Sequence, residues 1–185
     1  MKFEFKNVRL RYHDLFFAKS IKGGEMKYTA TFLIPKGSAM SKQVDKGILE
    51  MGTEKWKTKA SMYITQAMAS PLSSCWMDGD LKDRDGFDGH MSMSVGRKET
   101  EGRPTVVDRK GQPLTIDDNL IHEGCWVNAQ VDIYIQDHVD YGKAIRGVLL
   151  GVQFVKPGDA FAGGSGVAQF EILEDDEDDD TLSLV

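Results

Sequence analysis

The chain has 185 residues, 41 % of them hydrophobic, enough for one domain with a real core and too few for two large ones. Its formal charge of −6 is unevenly placed: residues 171–180 hold eight carboxylates and no base, and elsewhere 23 Lys or Arg face 21 Asp or Glu. No window approaches the roughly 18 apolar residues of a membrane span, the start lacks a signal peptide's apolar run, and Cys75 and Cys125 are too few thiols for a disulfide framework or a four-cysteine zinc site. These features exclude a helical membrane protein and a disulfide scaffold, and a cytosolic protein is expected.

The first 59 residues hold 13 Lys or Arg against 6 Asp or Glu, and residues 60–140 hold 7 against 14. The acidic isoelectric point therefore says little about a surface that meets a polyanion. Phe3 and Phe5 share one parity and Val8, Leu10 and Tyr12 the other, with Asn7 between. That phase slip predicts a bulge, although two short strands would look the same. Arg9 and Arg11 then form a narrow basic strand face. His13 to Gly24 reads as a connection, and Met26 to Ile34 as a strand ended by Pro35.

From Ser38 to about Lys59 the period lengthens. Met40, Val44, Ile48, Met51 and Trp56 predict an amphipathic helix capped by Ser38 or Ser41 and weakened by Gly47 and Gly52. A second helical stretch through Met62 and Ile64 to Ala69 is suggested before Pro71. Ser70 to Gly89 reads as a long acidic surface loop. Met91, Met93 and Val95 alternate with serines in a strand leading to Arg97 and Lys98, and Pro104 to Asp108 is another short strand.

The chain is organised around its last two strands. Val127, Ala129, Val131, Ile133 and Ile135 make one buried face, while Asn128, Gln130, Asp132, Tyr134 and Gln136 make a wet one containing an isolated ring. After a turn at Asp137–Gly142 a longer strand runs from Lys143 to Val155, with Gly147 and Gly151 marking bends or bulges where a small sheet curls. Six or seven strands and one clear helix favour a mainly β, barrel-like fold over a doubly wound sheet. Beyond Phe161–Gly166 the acidic run is expected to be disordered, because eight like charges repel and bury nothing.

Catalytic patterns are lacking. The Asp78–Asp88 loop fails the calcium-loop spacing at both possible starts, since Lys82 and Phe87 stand where a ligand is needed. It could still hold a divalent cation loosely or a metal pair for phosphodiester hydrolysis. His13, His90, His122 and His138 form no metal motif, and His122 with Cys125 has poor spacing for a base and nucleophile. No enzyme activity, metal or cofactor is expected.

Binding of single-stranded nucleic acid needs cations for phosphates and exposed rings for unstacked bases. The cation candidates are Arg9, Arg11, Lys27, Arg97, Lys98, Arg103, Lys143 and Arg146. The ring candidates are Tyr12, Tyr28, Tyr134 and Tyr141, with Phe16, Phe17 and Phe161 further possibilities and Trp56 and Trp76 assigned to packing. No rigid element with base-edge donors is evident, so no sequence preference is expected.

The strand series with its inserted helix at Ser38–Lys59, the final strand running into Lys156-Pro157-Gly158-Asp159-Ala160-Phe161, and the acidic end together resemble a single-stranded-DNA-binding protein of T7-like bacteriophages. The resemblance implies an OB fold, a small partly closed antiparallel barrel over residues 1–168, followed by a flexible acidic tail over 169–185. It implies coating of single-stranded DNA in phage replication, recombination and repair, in the cytoplasm of an infected bacterium.

It also implies a tail that competes for the DNA groove and recruits the phage DNA polymerase and helicase-primase, a role that would fall on Glu171, Glu174, Asp175, Asp176, Glu177, Asp178, Asp179 and Asp180. Such a tail usually carries an aromatic residue near its end, where this chain has Leu182-Ser183-Leu184-Val185. A tail reaching a neighbour's groove would give a homodimer. The alternatives are an OB-like protein-interaction module that binds no DNA, and a metal-dependent nuclease built on Asp78–Asp88.

Overall fold

The computed structural model describes residues 1–20 and 23–161. The expected acidic tail lies outside them. The elements run β1 (Lys2–Ser20), β2 (Met26–Pro35), α1 (Ala39–Trp56), α2 (Ala60–Met68), β3 (Trp76–Asp78), β4 (His90–Lys98), β5 (Thr105–Val107), β6 (Trp126–His138) and β7 (Gly142–Lys156). The sheet order is β3-β4-β2-β1-β6-β7-β5, and β4 also meets β7. That last contact is parallel, at Gly96 opposite Val148, and it closes β1, β2, β4, β7 and β6 into a ring. Five strands closed in this way form the OB barrel, with β3 and β5 as flanking strands.

The parity of β6 holds as expected: Val127, Ala129, Val131 and Ile133 are buried in the core. The bulge at Asn7 is present as well. Its φ is 53°, and the β1–β6 register shifts between Phe5 and Val8. Of the two glycines in β7, Gly151 adjoins a bulge, since Gln130 faces Gly151 while Val131 faces Leu149. Gly147 stays in register and serves a different purpose. A Cβ there would lie 2.6 Å from Cγ1 of Val95, so only glycine lets β4 approach close enough to shut the ring.

Ser38 caps α1, its Oγ accepting the Ser41 N–H at 3.2 Å. The glycines that weaken α1 have packing reasons. A Cβ at Gly47 would meet the Phe3 ring at 2.6 Å, and one at Gly52 would meet Ile64 of α2 at 2.8 Å. The suggested second helix exists as α2, joined to α1 by a 3₁₀ turn over Lys57–Lys59.

Two expectations are corrected. His13–Gly24 is not a connection: β1 continues to Ser20, because its first part pairs with β6 and its second with β2. Register breaks between Leu10 and Tyr12 and between Asp14 and Lys19 hide the two-residue period. Ser70–Gly89 is not simply a surface loop. Cys75 N–H donates to Ile145 O at 2.9 Å and Ser94 N–H to Cys75 O at 2.8 Å, so the segment is stitched to β7 and β4. Trp76 and Phe87 are fully buried, and the Trp76 indole N–H reaches Asp45 Oδ1 at 2.8 Å.

Candidate nucleic-acid interface

Residues in register on adjacent strands share a face. Tyr12 pairs with Thr31 and Thr31 with Ser94, while Asp14 pairs with Thr29 and Thr29 with Gly96. These rows form the outer face of β1, β2 and β4. Its floor is of small polar groups, tied by a 3.1 Å hydrogen bond between Thr31 and Ser94 hydroxyls. In OB barrels the face of strands two and three, between the first and last hairpin loops, is where oligonucleotides lie, and β2 and β4 hold that place here.

One end of this face is a stack of rings and guanidinium groups. Arg9 lies over Trp126 at 5.2 Å and Phe161 at 4.5 Å, and its Nη2 donates to Asp159 O at 2.6 Å. Its Nε is buried without a hydrogen-bond partner among the described residues. Arg11, only 4 % exposed, sits 4.4 Å from the Tyr12 ring and 4.7 Å from Phe161. It donates to Glu123 Oε2 at 2.5 Å and to Asp85 O at 3.3 Å. The Tyr12 hydroxyl accepts from Arg84 Nη1 at 3.0 Å, which pushes the Arg84 guanidinium further up. Lys156 covers the outer side of Trp126 at 5.1 Å. Phe161 is thus wedged between two guanidinium groups, each placed as a cation–π partner.

The other end lies where β2, β4 and β6 leave the barrel. Lys27 and Lys98 face each other across the β2–β4 pair, with Glu25 between them at 3.6 and 3.1 Å. The hydrogen bond from Lys98 holds the Glu25 carboxyl below its ordinary range and raises Lys98 in turn. Lys98 is within electrostatic reach of Tyr134, which is 46 % exposed and stands opposite Arg146. Arg146 donates to Gln136 Oε1 at 3.3 Å and Leu72 O at 2.7 Å. Tyr141, at the hairpin tip, is 76 % exposed, its ring 4.9 Å from His138. Lys143 at the hairpin root donates to Asp137 at 3.0 Å.

The structure therefore brings Arg9, Arg11 and Tyr12 together at one end, and Lys27, Lys98, Tyr134 and Arg146 at the other, with Tyr141 and Lys143 on the adjoining hairpin. Tyr28, Arg97 and Arg103 lie elsewhere. Tyr28 and Arg97 pair on the inward parity of β2 and β4, and Arg97 donates to the carbonyls of Glu101 and Gly102. Arg103 donates to Leu114 O at 3.0 Å and lies 5.5 Å over Phe16, so both guanidinium groups secure loops. Trp126, Arg84 and Lys156 escaped the sequence reading. Trp126 could have been found, since it shares the parity of Asn128, Gln130 and Tyr134; nothing local marks the other two.

The acidic loop offers no comparable assembly. Asp78 and Asp80 share the ammonium of Lys36, and Asp80 also accepts the Gly89 N–H at 2.7 Å. Among the described residues, no three His, Cys, Asp or Glu side chains converge as a metal site would require. Burial raises both thiols, Cys75 to about 12, which leaves them protonated and poorly nucleophilic.

The family model described as the single-stranded-DNA-binding protein of Enterobacter phage Enc34 matches residues 1–182. The p50 protein of Acyrthosiphon pisum secondary endosymbiont phage 1 is 40 % identical over 178 residues, 95 % of this chain and 94 % of that protein. The structure of the bacteriophage Enc34 single-stranded-DNA-binding protein in complex with single-stranded DNA matches with a TM-score of 0.69 at 28 % identity, over 86 % of this chain and 88 % of that one. The bacteriophage T7 single-stranded-DNA-binding protein gp2.5 matches with a TM-score of 0.55 at 16 % identity, over 89 % and 91 %. The T7 likeness is one of fold.

Proposed function

The chain belongs to the single-stranded-DNA-binding protein family of Enterobacter phage Enc34, and on that premise we propose that it coats single-stranded DNA without sequence preference during phage replication, recombination and repair. The observation that carries this reading is the outer face of β1, β2 and β4: a smooth polar floor with rings and cations at both ends. Phosphates would be met by Arg9, Lys27, Lys98, Lys143 and Arg146, and bases by Tyr12, Tyr134 and Tyr141, while Arg11, buried against Phe161 and paired with Glu123, would back the Tyr12 ring. Each stacked base contributes about 1–3 kcal/mol, so two or three rings and several screened phosphate contacts suffice. Arg97 and Arg103 have supporting roles, their guanidinium groups being spent on loop carbonyls, and Tyr28 lies on the inward parity of β2.

The tail reading is supported by the placement of residues 158–161. Gly158 O lies 3.2 Å from His122 Nε2, Arg9 binds Asp159 O, and Phe161 fills the space between Arg9 and Arg11. Residues 158–161 thus lie across one end of the groove, and carboxylates tethered to them would compete with phosphates at high local concentration. Glu171 and Glu174–Asp180 would serve both as that competitor and as the segment that recruits the polymerase and helicase-primase in the infected cell. A homodimer would follow if the tail reached a neighbouring groove.

Titration of full-length protein and of a variant lacking residues 171–185 with labelled oligo-dT of about 30 nucleotides, at about 50 and 200 mM salt, tests both claims. Salt-dependent binding is expected, several-fold tighter for the shortened chain at low salt. Absence of any salt-dependent signal would leave the protein-interaction module as the better reading. Equal affinities would remove the self-competition alone.

A further inference from the structure

We propose that the joint between α1 and α2 is a second binding strip, taken by the part of a DNA single strand that leaves the groove around the tip of the β6–β7 hairpin. The inference rests on the coating function above. Lys55, Lys57 and Lys59 alternate through the end of α1 and the 3₁₀ turn, and all three are exposed. None of them forms an ion pair among the described residues, which is equally true of Lys2, Lys6, Lys42, Lys82, Lys110 and Lys156; what sets these three apart is that they stand together within residues 55–59. Complementing the helix dipole accounts for Lys55, in the last turn of α1. It does not account for Lys57, which has left the helix at φ 53°, ψ −128°.

The joint and the hairpin root form one packed unit. Trp56 meets Tyr63 edge-on at 5.6 Å and donates its indole N–H to Asp137 at 2.9 Å, and the Lys143 ammonium lies 4.7 Å over Tyr63. Asp137 has the parity of Ile133 and Ile135, whereas Tyr134 and Gln136 point the other way. The three lysines are therefore on the opposite side of the hairpin ribbon from Tyr134 and Arg146. A strand held in the groove reaches them only by turning round the tip, where Tyr141 and the fully exposed Val139 stand.

This geometry selects the ligand. A duplex with a persistence length of about 150 base pairs does not bend round a two-stranded ribbon. A single strand does, and the exposed Tyr141 ring offers a base a place to stack at the turn. Length dependence follows. A short oligonucleotide fills the groove alone, and a longer one also occupies the joint.

The test compares wild type with the triple variant Lys55→Gln, Lys57→Gln, Lys59→Gln on oligo-dT of about 8 and about 30 nucleotides, bracketing much of the range of OB-fold site sizes. On the longer strand the variant is expected to lose about tenfold in affinity at 100 mM salt, with a log–log salt slope shallower by about 2, since each single-strand phosphate contact contributes about 0.7. On the shorter strand it should match wild type. The triple Lys→Arg variant should bind as wild type on both lengths. Equal loss on both lengths, or no loss on the longer strand, overturns the wrapped path while leaving the coating function standing. Failure of wild type to bind either strand overturns the coating function itself.

Discussion

The two ends of the groove carry similar residue types in different states. At the β1 end, Arg11 is buried, hydrogen-bonded to Glu123 and Asp85, and in contact with two rings. At the hairpin end, Tyr134 stands half exposed, and the nearest cations are held by surface pairs such as Lys98 with Glu25. A guanidinium group that helps hold the fold cannot be removed without loosening it, whereas an exposed ring can be removed at little structural cost. The contrast separates residues whose loss is read in stability from those whose loss is read in binding.

The largest effect is expected at Arg11. Arg11→Ala leaves Glu123 without its partner and a gap beside Tyr12 and Phe161, and should cost about 2 kcal/mol of stability. Thermal unfolding should show it as a drop of about 4–8 °C. An unchanged melting temperature would mean that the β1 end is as loosely built as the hairpin end.

Next is Tyr134→Ala. It should weaken oligo-dT binding by about 1–2 kcal/mol, the size of one stacked base, with stability unchanged within about 0.5 kcal/mol. Unchanged affinity measured by fluorescence anisotropy would take Tyr134 off the binding surface.

Phe161→Ala tests the shared border of the two states. Removing an internal occupant of the space between Arg9 and Arg11 should raise affinity for single strands two- to five-fold, about 0.5–1 kcal/mol for a partly exposed cation–π partner. A fall in affinity would make Phe161 part of the binding surface.

The smallest effect is pH-dependent and belongs to β1. Burial lowers the pKa of His13 from its ordinary 6.5, opposed by Asp14 and assisted by Lys19 and His122. The unfolded chain therefore binds the proton more readily than the folded one. Stability should fall as pH drops through 6.5 toward the depressed folded value, and then level off. Urea titrations between pH 7.5 and about 5 should show a shallower fall for His13→Gln than for wild type; parallel curves would place the acid sensitivity in another group.

Much of this was legible in the chain. Two-residue alternation in β4 and β6 and the longer period of α1 identified the elements, because one buried face imposes its period on the residues that line it. The same alternation singled out Tyr134 as a ring on a wet face. The full length of β1 was obscured by its bulges, since each extra residue swaps the faces and cancels the pattern. The three residues of β3 were too few to show a period at all.

What the sequence determined by itself was the inventory: strands, helix, the ring among polar residues and the unequal spread of charge. Only the tertiary structure decided which cations stand free and which are consumed. Arg9, Arg11, Arg97 and Arg103 look alike along the chain, and all four hold loop carbonyls, yet only Arg9 and Arg11 do so at the end of the groove, with the Phe161 ring between them. The reason is range. Periodicity records which way a side chain points relative to its neighbours in sequence, whereas partners such as Glu123, Asp159 and Phe161 reach β1 from more than a hundred residues away through closure of the barrel.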